Sequence, residues 1–277
     1  MSHTLDASLP IGVFDSGVGG LTVLRALCER LPNESLIYLG DTARLPYGTK
    51  STETVTRYAL QTVGKLVERR VKLLVVACNT ATAAALPALE AAYPAIPVVG
   101  VVEPGAEAAC RVTRNNSILI LATESTIRNG AYTRAIQAKL PEARVTGIAC
   151  SLFVAMAEEG WVDGPITEAV AARYLEPLRN VPGADFPDTA VLACTHFPPL
   201  AGAIQKALVP SVRLVDSAAT TALAVEKILD EHGLRRPDAT PDAPVFLTTD
   251  APERFAKVGG IFLGRPLLPA NVELVAF

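Results

Sequence analysis

The pattern that most constrains the fold of this chain is a series of short apolar runs separated by helix-like segments. The intervening segments include residues 52–70, 81–92, 166–178 and 218–231. The apolar runs are rich in Val, Ile and Leu and lie at residues 11–14, 36–39, 73–77, 98–102, 118–121, 145–148, 191–193, 212–215 and 245–247. Continuous apolar strands that alternate with helices form parallel sheets covered on both faces. We therefore expect an α/β fold.

The strand-loop-helix pattern occurs in two similar sets. One apolar run ends in Ala-Cys-Asn-Thr at residues 77–80, and a later run ends in Ala-Cys-Thr-His at residues 193–196. In open α/β sheets, ligands bind at the carboxyl ends of the strands. Two such lobes facing each other would enclose a pocket. Alternatively, the two sets are similar only because all α/β chains repeat strand-helix units, and this explanation implies no second lobe.

Composition narrows the class of partner. The chain has 277 residues, half of them hydrophobic, a net charge of -3 and a pI near 5.7. Its 25 Lys and Arg form no basic stripe, so we expect small molecules rather than nucleic acid as partners. No apolar run approaches the ~18 residues of a membrane span, and residues 1–10 lack the pattern of a signal peptide. These features predict a cytoplasmic protein with no membrane contact.

The cysteine and histidine patterns argue against disulfide and metal scaffolding. The five cysteines include no Cys-x-x-Cys pair, and an odd number cannot all pair within one chain. The three histidines show no ligand spacing with those cysteines. We therefore expect no metal site.

Cys78 and Cys194 are the strongest candidates for chemistry. A cysteine at a strand-to-helix junction lies beside free backbone N–H groups, whose partial positive charge favours the thiolate. Either cysteine alone is explained as a buried residue that ends a strand, and a Cys-His nucleophile pairing with His196 needs only one of them. The pair instead suits proton removal from one face of a tetrahedral carbon and proton return to the other.

Two further loops follow early strands. The loop at residues 15–20 is neither a dinucleotide fingerprint, because Thr22 replaces the required glycine, nor a Walker loop, which needs Gly-Lys-Ser/Thr. In the loop at residues 41–49, Pro46 restricts Leu45 and Gly48 tolerates unusual angles, so a rigid loop can direct N–H groups at an anion. Taken alone, each loop is equally well explained as an ordinary turn.

Five motifs follow one another along the chain. They are Asp-Ser-Gly at 15–17, Pro-Tyr-Gly at 46–48, Ala-Cys-Asn-Thr at 77–80, Thr-x-x-Thr at 123–126 with Gly-Ala-Tyr at 130–132, and Cys-Thr-His at 194–196. Together they resemble the glutamate racemases of the aspartate/glutamate racemase superfamily. The resemblance extends from residue 11 to the carboxyl end and includes residues 248–250 and 262–264. Ser125 departs from the glycine that many members carry.

The resemblance implies two pseudo-symmetric α/β domains, each a mainly parallel sheet flanked by helices, with the active site between them. The first domain, residues 1–103 and 215–277, is interrupted by the second, residues 104–214. The resemblance is compatible with a homodimer. It also implies that the product, D-glutamate, supplies peptidoglycan synthesis.

The implied mechanism uses neither pyridoxal phosphate nor metal. One cysteine, as thiolate, takes the α-proton of glutamate, and the other, as thiol, reprotonates the opposite face; Cys78 and Cys194 are the matching residues. Asp15 and His196 would assist them, one on each side. Glu158 matches a family acid, although Glu159 is adjacent. The implied substrate-binding residues are Asp15, Ser16, Pro46, Tyr47, Gly48, Asn79, Thr80, Thr123, Thr126, Glu158, Thr195 and His196.

Three alternatives stand beside this interpretation. A racemase of aspartate or another acidic amino acid would use the same two cysteines, and the sequence does not measure the depth of the pocket. A hydrolase or lyase with one nucleophilic cysteine leaves the second cysteine unexplained. A binding module of the periplasmic type also has two α/β lobes, but the paired thiols and the lack of a signal peptide disfavour it.

Overall fold

The computed structural model describes residues 6–183, 185–237 and 242–277, and within them the strands form two sheets in which every pairing is parallel. The α/β prediction is confirmed. The strands are β1 (Ile11–Asp15), β2 (Leu36–Gly40), β3 (Leu73–Val76), β4 (Val98–Gly100), β5 (Ser117–Ala122), β6 (Arg144–Ala149), β7 (Thr189–Ala193), β8 (Arg213–Asp216), β9 (Val245–Thr248) and β10 (Val272–Leu274).

Helices connect the strands and cover the sheets. Among the described helices, none is long and apolar enough to cross a membrane. The helices are α1 (Leu21–Arg30), α2 (Thr52–Glu68), α3 (Asn79–Ala92), α4 (Val102–Val112), α5 (Glu124–Asn129), α6 (Ala131–Lys139), α7 (Leu152–Glu158), α8 (Gly164–Leu175), α9 (Ala201–Ala207), α10 (Ser217–Glu231) and α11 (Pro252–Leu263).

The two sheets define two lobes. The first lobe contains the six-stranded sheet, in the order β10-β9-β2-β1-β3-β4, with α1, α2, α3, α10 and α11. The second lobe contains the four-stranded sheet, in the order β6-β5-β7-β8, with α4 to α9. Along the sequence, the strands of the first lobe thus lie both before and after those of the second lobe. The predicted domain boundaries, between residues 103 and 104 and between residues 214 and 215, stay a prediction. The second boundary falls within β8.

One apolar core joins the two lobes. The largest cluster of buried apolar side chains contains Val13 and Val75 from the first sheet together with Leu119 and Leu192 from the second. Two smaller clusters fill the opposite faces, one under α2 and α3 and one under α4 and α6. The lobes are therefore packed against each other through buried apolar surface and not only through the site between them.

The central strands are buried along their whole length, and polar residues stand at or just after their carboxyl ends. Every residue of β1, β3, β5 and β7 is buried, as expected for strands covered on both faces. Asp15 is the last residue of β1, and Thr123 directly follows β5. Cys78 and Cys194 follow β3 and β7. The topology therefore brings these four residues to the facing edges of the two sheets.

Most predicted segments differ from the observed elements by a few residues at one or both ends, and two of these differences involve prolines. The apolar run at 98–102 is a strand only to Gly100, and Val102 already begins α4, where Pro104 is tolerated because the first helical turn needs no N–H donor. The helix predicted at 166–178 ends at Leu175 and continues as a 3₁₀ turn, Glu176–Asn180, which contains a proline.

Candidate active site

A cavity of about 280 Å³ lies between the two lobes, lined by residues of both. Asp15 and Thr126 are not part of the lining, although both lie directly behind it. The sequence-predicted residues that line the cavity are Ser16, Pro46, Tyr47, Gly48, Cys78, Asn79, Thr80, Thr123, Glu158, Cys194, Thr195 and His196. The lining residues that the sequence analysis missed are Gly17, Leu45, Thr49, Ser151, Val154 and Ala155.

Cys78 forms the first-lobe side of the cavity. Its sulfur caps α3, accepting the N–H of Ala81 at 3.4 Å, and lies 3.4 Å from the hydroxyl oxygen of Ser16. Burial and the nearby charge of Asp15 raise the pKa of the Cys78 thiol to about 12, although the Ser16 and Ala81 hydrogen bonds oppose this shift. At neutral pH, Cys78 is therefore a protonated thiol.

Asp15 is fully buried behind Cys78. One of its oxygens accepts the N–H of Gly17 at 2.9 Å, while the other, Oδ1, has no hydrogen-bond partner within the described part of the chain. Burial raises the pKa of Asp15 above its usual value, and the charge of His196 together with backbone N–H groups opposes that effect. A buried carboxyl group with a raised pKa is protonated more easily than an ordinary one. Asp15 can therefore take up or release a proton close to the Cys78 thiol.

His196 lies on the Cys194 side of the cavity. Its Nε2 lies 3.1 Å from Oε1 of Glu158, and its ring packs edge-on against Phe262 with centroids 5.0 Å apart. Burial lowers the pKa of His196, but the hydrogen bonds to Cys194 and Glu158, with the charges of Cys194 and Asp15, raise it to about 10. The histidine is therefore an imidazolium at neutral pH and stores a proton next to Cys194.

The adjacent acids Glu158 and Glu159 differ in position. The Glu158 side chain is 13% exposed, lines the cavity and contacts His196, whereas that of Glu159 is 64% exposed and faces away from the lining. Burial raises the pKa of Glu158, but His196 and Arg254 outweigh this effect and lower it. Of the two acids, Glu158 is the one placed to hold the His196 imidazolium.

Three threonine hydroxyls join the lobes at one edge of the cavity. Oγ1 of Thr80, at the start of α3, lies 3.0 Å from that of Thr123 and 3.1 Å from that of Thr126, and the last two are 3.0 Å apart. Ser125 is buried within α5 and does not interrupt the helix. The Thr126 hydroxyl contacts those of Thr80 and Thr123 and is not part of the lining, so it orients the two cavity-lining hydroxyls.

The loop at residues 45–49 is held from behind by a buried acid. The Leu45–Pro46 peptide bond is cis, and Leu45 is extended, as its place before proline predicts. The Tyr47 hydroxyl donates a hydrogen bond to Asp41, which also accepts Nε of Arg44 at 2.7 Å. Burial and Asp41 raise the pKa of Tyr47 well above its usual value, so its hydroxyl stays a donor.

Two glycines allow the lobes to approach closely. A Cβ atom built on Gly19 would lie 2.4 Å from both Thr195 Oγ1 and His196 Nδ1, and one built on Gly48 would lie 2.7 Å from Thr123 Cβ. Each glycine belongs to the first lobe and each neighbour to the second. The close contact at these points requires the absence of a side chain.

The arrangement suits proton transfer inside the cavity between the lobes. It provides one thiol from each lobe, a buried acid behind Cys78 and an imidazolium beside Cys194. Backbone N–H groups at the start of α3 and the threonine hydroxyls can receive a carboxylate. Within residues 6–183, 185–237 and 242–277, no three His, Cys, Asp or Glu side chains cluster as a metal site would require. All five cysteines are free thiols.

Comparison with known proteins identifies the family of the chain. A family model described as Asp/Glu/Hydantoin racemase matches residues 11–225. A glutamate racemase of Geobacter metallireducens is 51% identical over 257 residues, 93% of each chain, and one of Syntrophus aciditrophicus is 47% identical over 93% of this chain and 94% of the other.

Solved structures agree as well. A glutamate racemase from Francisella tularensis in complex with D-glutamate has a TM-score of 0.89 and 37% identity, with 98% of each chain covered. A glutamate racemase from Thermus thermophilus in complex with Beta-chloro-D-alanine has a TM-score of 0.87 and 42% identity, also over 98% of each chain. The chain therefore belongs to the Asp/Glu/hydantoin racemase family and is a racemase, which makes it an isomerase.

Proposed function

We propose that this racemase interconverts L-glutamate and D-glutamate by proton transfer at Cα between two cysteines, with neither metal nor pyridoxal phosphate. The observation that carries the proposal is that Cys78 and Cys194, from strand ends of different lobes, line the same cavity. Racemisation needs a base on one face of Cα and an acid on the other. Relatives of similar length with 47–51% identity that are named glutamate racemases support glutamate as the substrate.

The two halves of the site hold protons in different ways. On the first-lobe side, Cys78 is a thiol whose pKa is raised to about 12, so it can protonate a carbanion. On the second-lobe side, His196 holds a proton next to Cys194 and Glu158 stabilises the charged ring. The substrate ammonium group would favour a thiolate on whichever side removes the proton, because a nearby cation stabilises the charged form of an acid.

The difficult part of the reaction is the acidity of the α-proton, which is far lower than that of a thiol with its ordinary pKa of about 8.5. The site must therefore stabilise the carbanion that forms. Preorganised donors in a site with little water do this most effectively. Here the donors would be the N–H groups at the start of α3 and the hydroxyls of Thr80, Thr123 and Thr195, all fixed before substrate binds.

The proposed biological role is the supply of D-glutamate for peptidoglycan synthesis, which calls for a cytoplasmic enzyme. The homodimer stays a prediction. Aspartate is the alternative substrate, because the same thiols would serve it equally well. The two acids differ in how far the distal carboxylate reaches from Cα, so the selectivity assay described in the Discussion separates them.

The test of the two-thiol mechanism uses Cys78→Ser and Cys194→Ser, with Cys28→Ser as a control outside the cavity. Circular dichroism of L-glutamate follows racemisation by dialysed, metal-chelated protein. We expect full activity in the wild type and in the control and no racemisation in either cavity variant, since serine is a much weaker acid than cysteine. Near-normal racemisation by a cavity variant would overturn the mechanism.

A second assay separates the two thiols. In β-chloroglutamate, removal of the α-proton expels chloride, and the resulting enamine hydrolyses to 2-oxoglutarate and ammonium. This reaction needs one thiolate and no returning proton. Each variant should therefore still eliminate chloride from one enantiomer, and the enantiomers should be opposite; by resemblance, we expect Cys78 to serve the D-form and Cys194 the L-form. The same preference in both variants would contradict the proposal.

A further inference from the structure

The Glu158 carboxylate is held at both ends. Its Oε1 lies 3.1 Å from Nε2 of His196, and its Oε2 lies 3.3 Å from Nη2 of Arg254. Glu158 is the last residue of α7 in the second lobe, whereas Arg254 lies in the first turn of α11 in the first lobe. The same guanidinium nitrogen lies 3.7 Å from Glu159. An ion pair between the lobes is thus joined directly to the histidine beside Cys194.

Arg254 does not reach the substrate cavity. It is not among the lining residues, its side chain is 60% exposed, and it borders a separate cavity of about 140 Å³ together with Leu45 and Glu158. The His196 side chain, by contrast, is 7% exposed. Any effect of Arg254 on the reaction must therefore pass through Glu158.

The beginning of α11 is fixed in space, so Arg254 is presented from a rigid position. The backbone N–H of Asp250 donates to Oγ1 of Thr42 at 2.9 Å, and the same hydroxyl donates to the Asp250 carbonyl oxygen at 2.8 Å. Oγ1 of Thr249 donates to Oδ1 of Asp41 at 3.0 Å. A residue placed in this way can hold a partner at a defined distance, as positioning residues around reactive groups do.

We propose that Arg254 is a positioning residue that holds the Glu158 carboxylate against His196 across the gap between the two lobes. The proposal rests on the two-cysteine function above, because His196 assists Cys194. Without Arg254, the Glu158 side chain loses its second anchor and can rotate towards solvent. His196 then loses the anion that stabilises its charged ring. Proton transfer by Cys194 is then slower, whereas proton transfer by Cys78 is unchanged.

Racemisation itself does not report which side is affected. L- and D-glutamate have equal free energies, so the equilibrium constant is one, and every variant must change kcat/KM by the same factor in both directions. Elimination of chloride from each enantiomer of β-chloroglutamate reports one thiol at a time. The enantiomer that depends on Cys194 is identified as the one that Cys194→Ser no longer converts.

The variants are Arg254→Gln and Arg254→Lys, with Arg111→Gln as the control. Arg111 is 63% exposed, pairs with Glu107 at 3.9 Å and lies outside the cavity lining. We expect Arg254→Gln to lower kcat/KM for the Cys194-dependent enantiomer about fivefold, in keeping with the loss of one partly exposed ion pair. Elimination from the other enantiomer should stay within about twofold of wild type. Arg254→Lys should restore most of the activity, and the control should behave as wild type.

The pH profile separates positioning from a simple charge effect. The charged or titratable groups that face His196 are Cys194, Glu158 and Asp15, and Arg254 faces Glu158. Removing a distant positive charge alone would raise the pKa of His196, whereas losing the Glu158 contact would lower it. We therefore expect the alkaline limb of the Cys194-dependent elimination to move to lower pH in Arg254→Gln.

Each outcome decides the proposal. A selective loss with a downward pH shift supports positioning by Arg254. Equal loss for both enantiomers, no loss, an upward pH shift, or no pH shift overturns it. If wild-type protein racemises glutamate and Cys194→Ser loses elimination from one enantiomer only, the proposed function stands whatever Arg254→Gln does. The two failures are thereby distinguished.

Discussion

Replacing Gly19 with alanine should disable the enzyme while leaving it folded. Gly19 precedes α1 in the first lobe and faces Thr195 and His196 of the second. An added Cβ would lie 2.4 Å from Thr195 Oγ1 and from His196 Nδ1. Ordinary van der Waals contact begins at 3.4 Å, so the two lobes or the imidazole ring must shift by 1.0 Å, the difference between these two distances.

That shift falls on the proposed catalytic groups. His196 lies 3.1 Å from Glu158, so a displacement of 1.0 Å, the shortfall in the Cβ contact, breaks this hydrogen bond or opens the cavity. A misplacement of about 1 Å can reduce catalysis on the order of 100-fold. The cost in stability is smaller, about 1–3 kcal/mol for overpacking, because the affected side chains can move. We therefore expect a large drop in kcat and only a small drop in the free energy of unfolding.

The assay is racemisation of L-glutamate followed by circular dichroism, with urea unfolding measured on the same sample. Gly202→Ala is the matched control, since Gly202 lies in α9 and an added Cβ meets no atom within 4 Å. The control should keep full activity and unfold at slightly higher urea, because alanine favours helix over glycine by about 1 kcal/mol. A Gly19→Ala protein with kcat within about threefold of wild type would refute the argument.

Three further outcomes are expected. Glutamate should exceed aspartate in kcat/KM by at least about a hundredfold, because a shorter acid leaves polar groups of the site unpaired, and comparable values would favour the aspartate alternative. The pKa of His196 is raised from 6.5 to about 10 on folding, so its contribution to stability is complete below pH 6.5 and is lost as pH rises through about 10. The difference in Tm between wild type and His196→Gln should shrink as the pH rises from 6.5 to about 10. A difference that grows would contradict this prediction. Glu34→Gln should cost about 3–5 kcal/mol in urea unfolding because the buried Lys72 ammonium, 2.5 Å from Glu34, loses its counter-charge and keeps its hydrogen bond to the Ala7 carbonyl oxygen, whereas Lys65→Gln, which breaks an exposed pair, should cost under about 1 kcal/mol.

The parallel sheets and the cysteine pair could be predicted because both leave local signals. A strand buried on both faces is mostly apolar, so the apolar runs of β1, β3, β5 and β7 are visible without knowledge of their neighbours. Cys78 and Cys194 each follow such a run, and polar residues at the ends of parallel strands meet at one edge. The local pattern therefore placed both cysteines near a site.

Other parts of the site depend on contacts that no local pattern records. Glu158 and Glu159 are equivalent in sequence, and only the His196 contact across the fold distinguishes them. Arg254 looks like any exposed charge in a first helical turn. Asp15 is predicted to bind substrate, and the structure places it directly behind the cavity lining, because as the last residue of β1 it is covered on both faces of the sheet.

Apolar lining residues were missed for a related reason. Leu45, Val154 and Ala155 are ordinary hydrophobic residues in sequence, and nothing in their spacing distinguishes a cavity wall from a core. Ser151 precedes α7 without capping it and gives no stronger signal. Pocket-facing apolar residues become recognisable only when the second lobe is placed against the first.

The strand order of the first sheet has a consequence for synthesis on the ribosome. β2 pairs on one side with β1, which is made just before it, and on the other with β9, which follows about 200 residues later. At about 5–20 residues per second, the free edge of β2 waits roughly 10–40 s for its partner. During this time the whole second lobe is translated and an unpaired strand edge is open to other nascent chains. Chaperone binding to the unfinished chain would have its greatest effect at this edge.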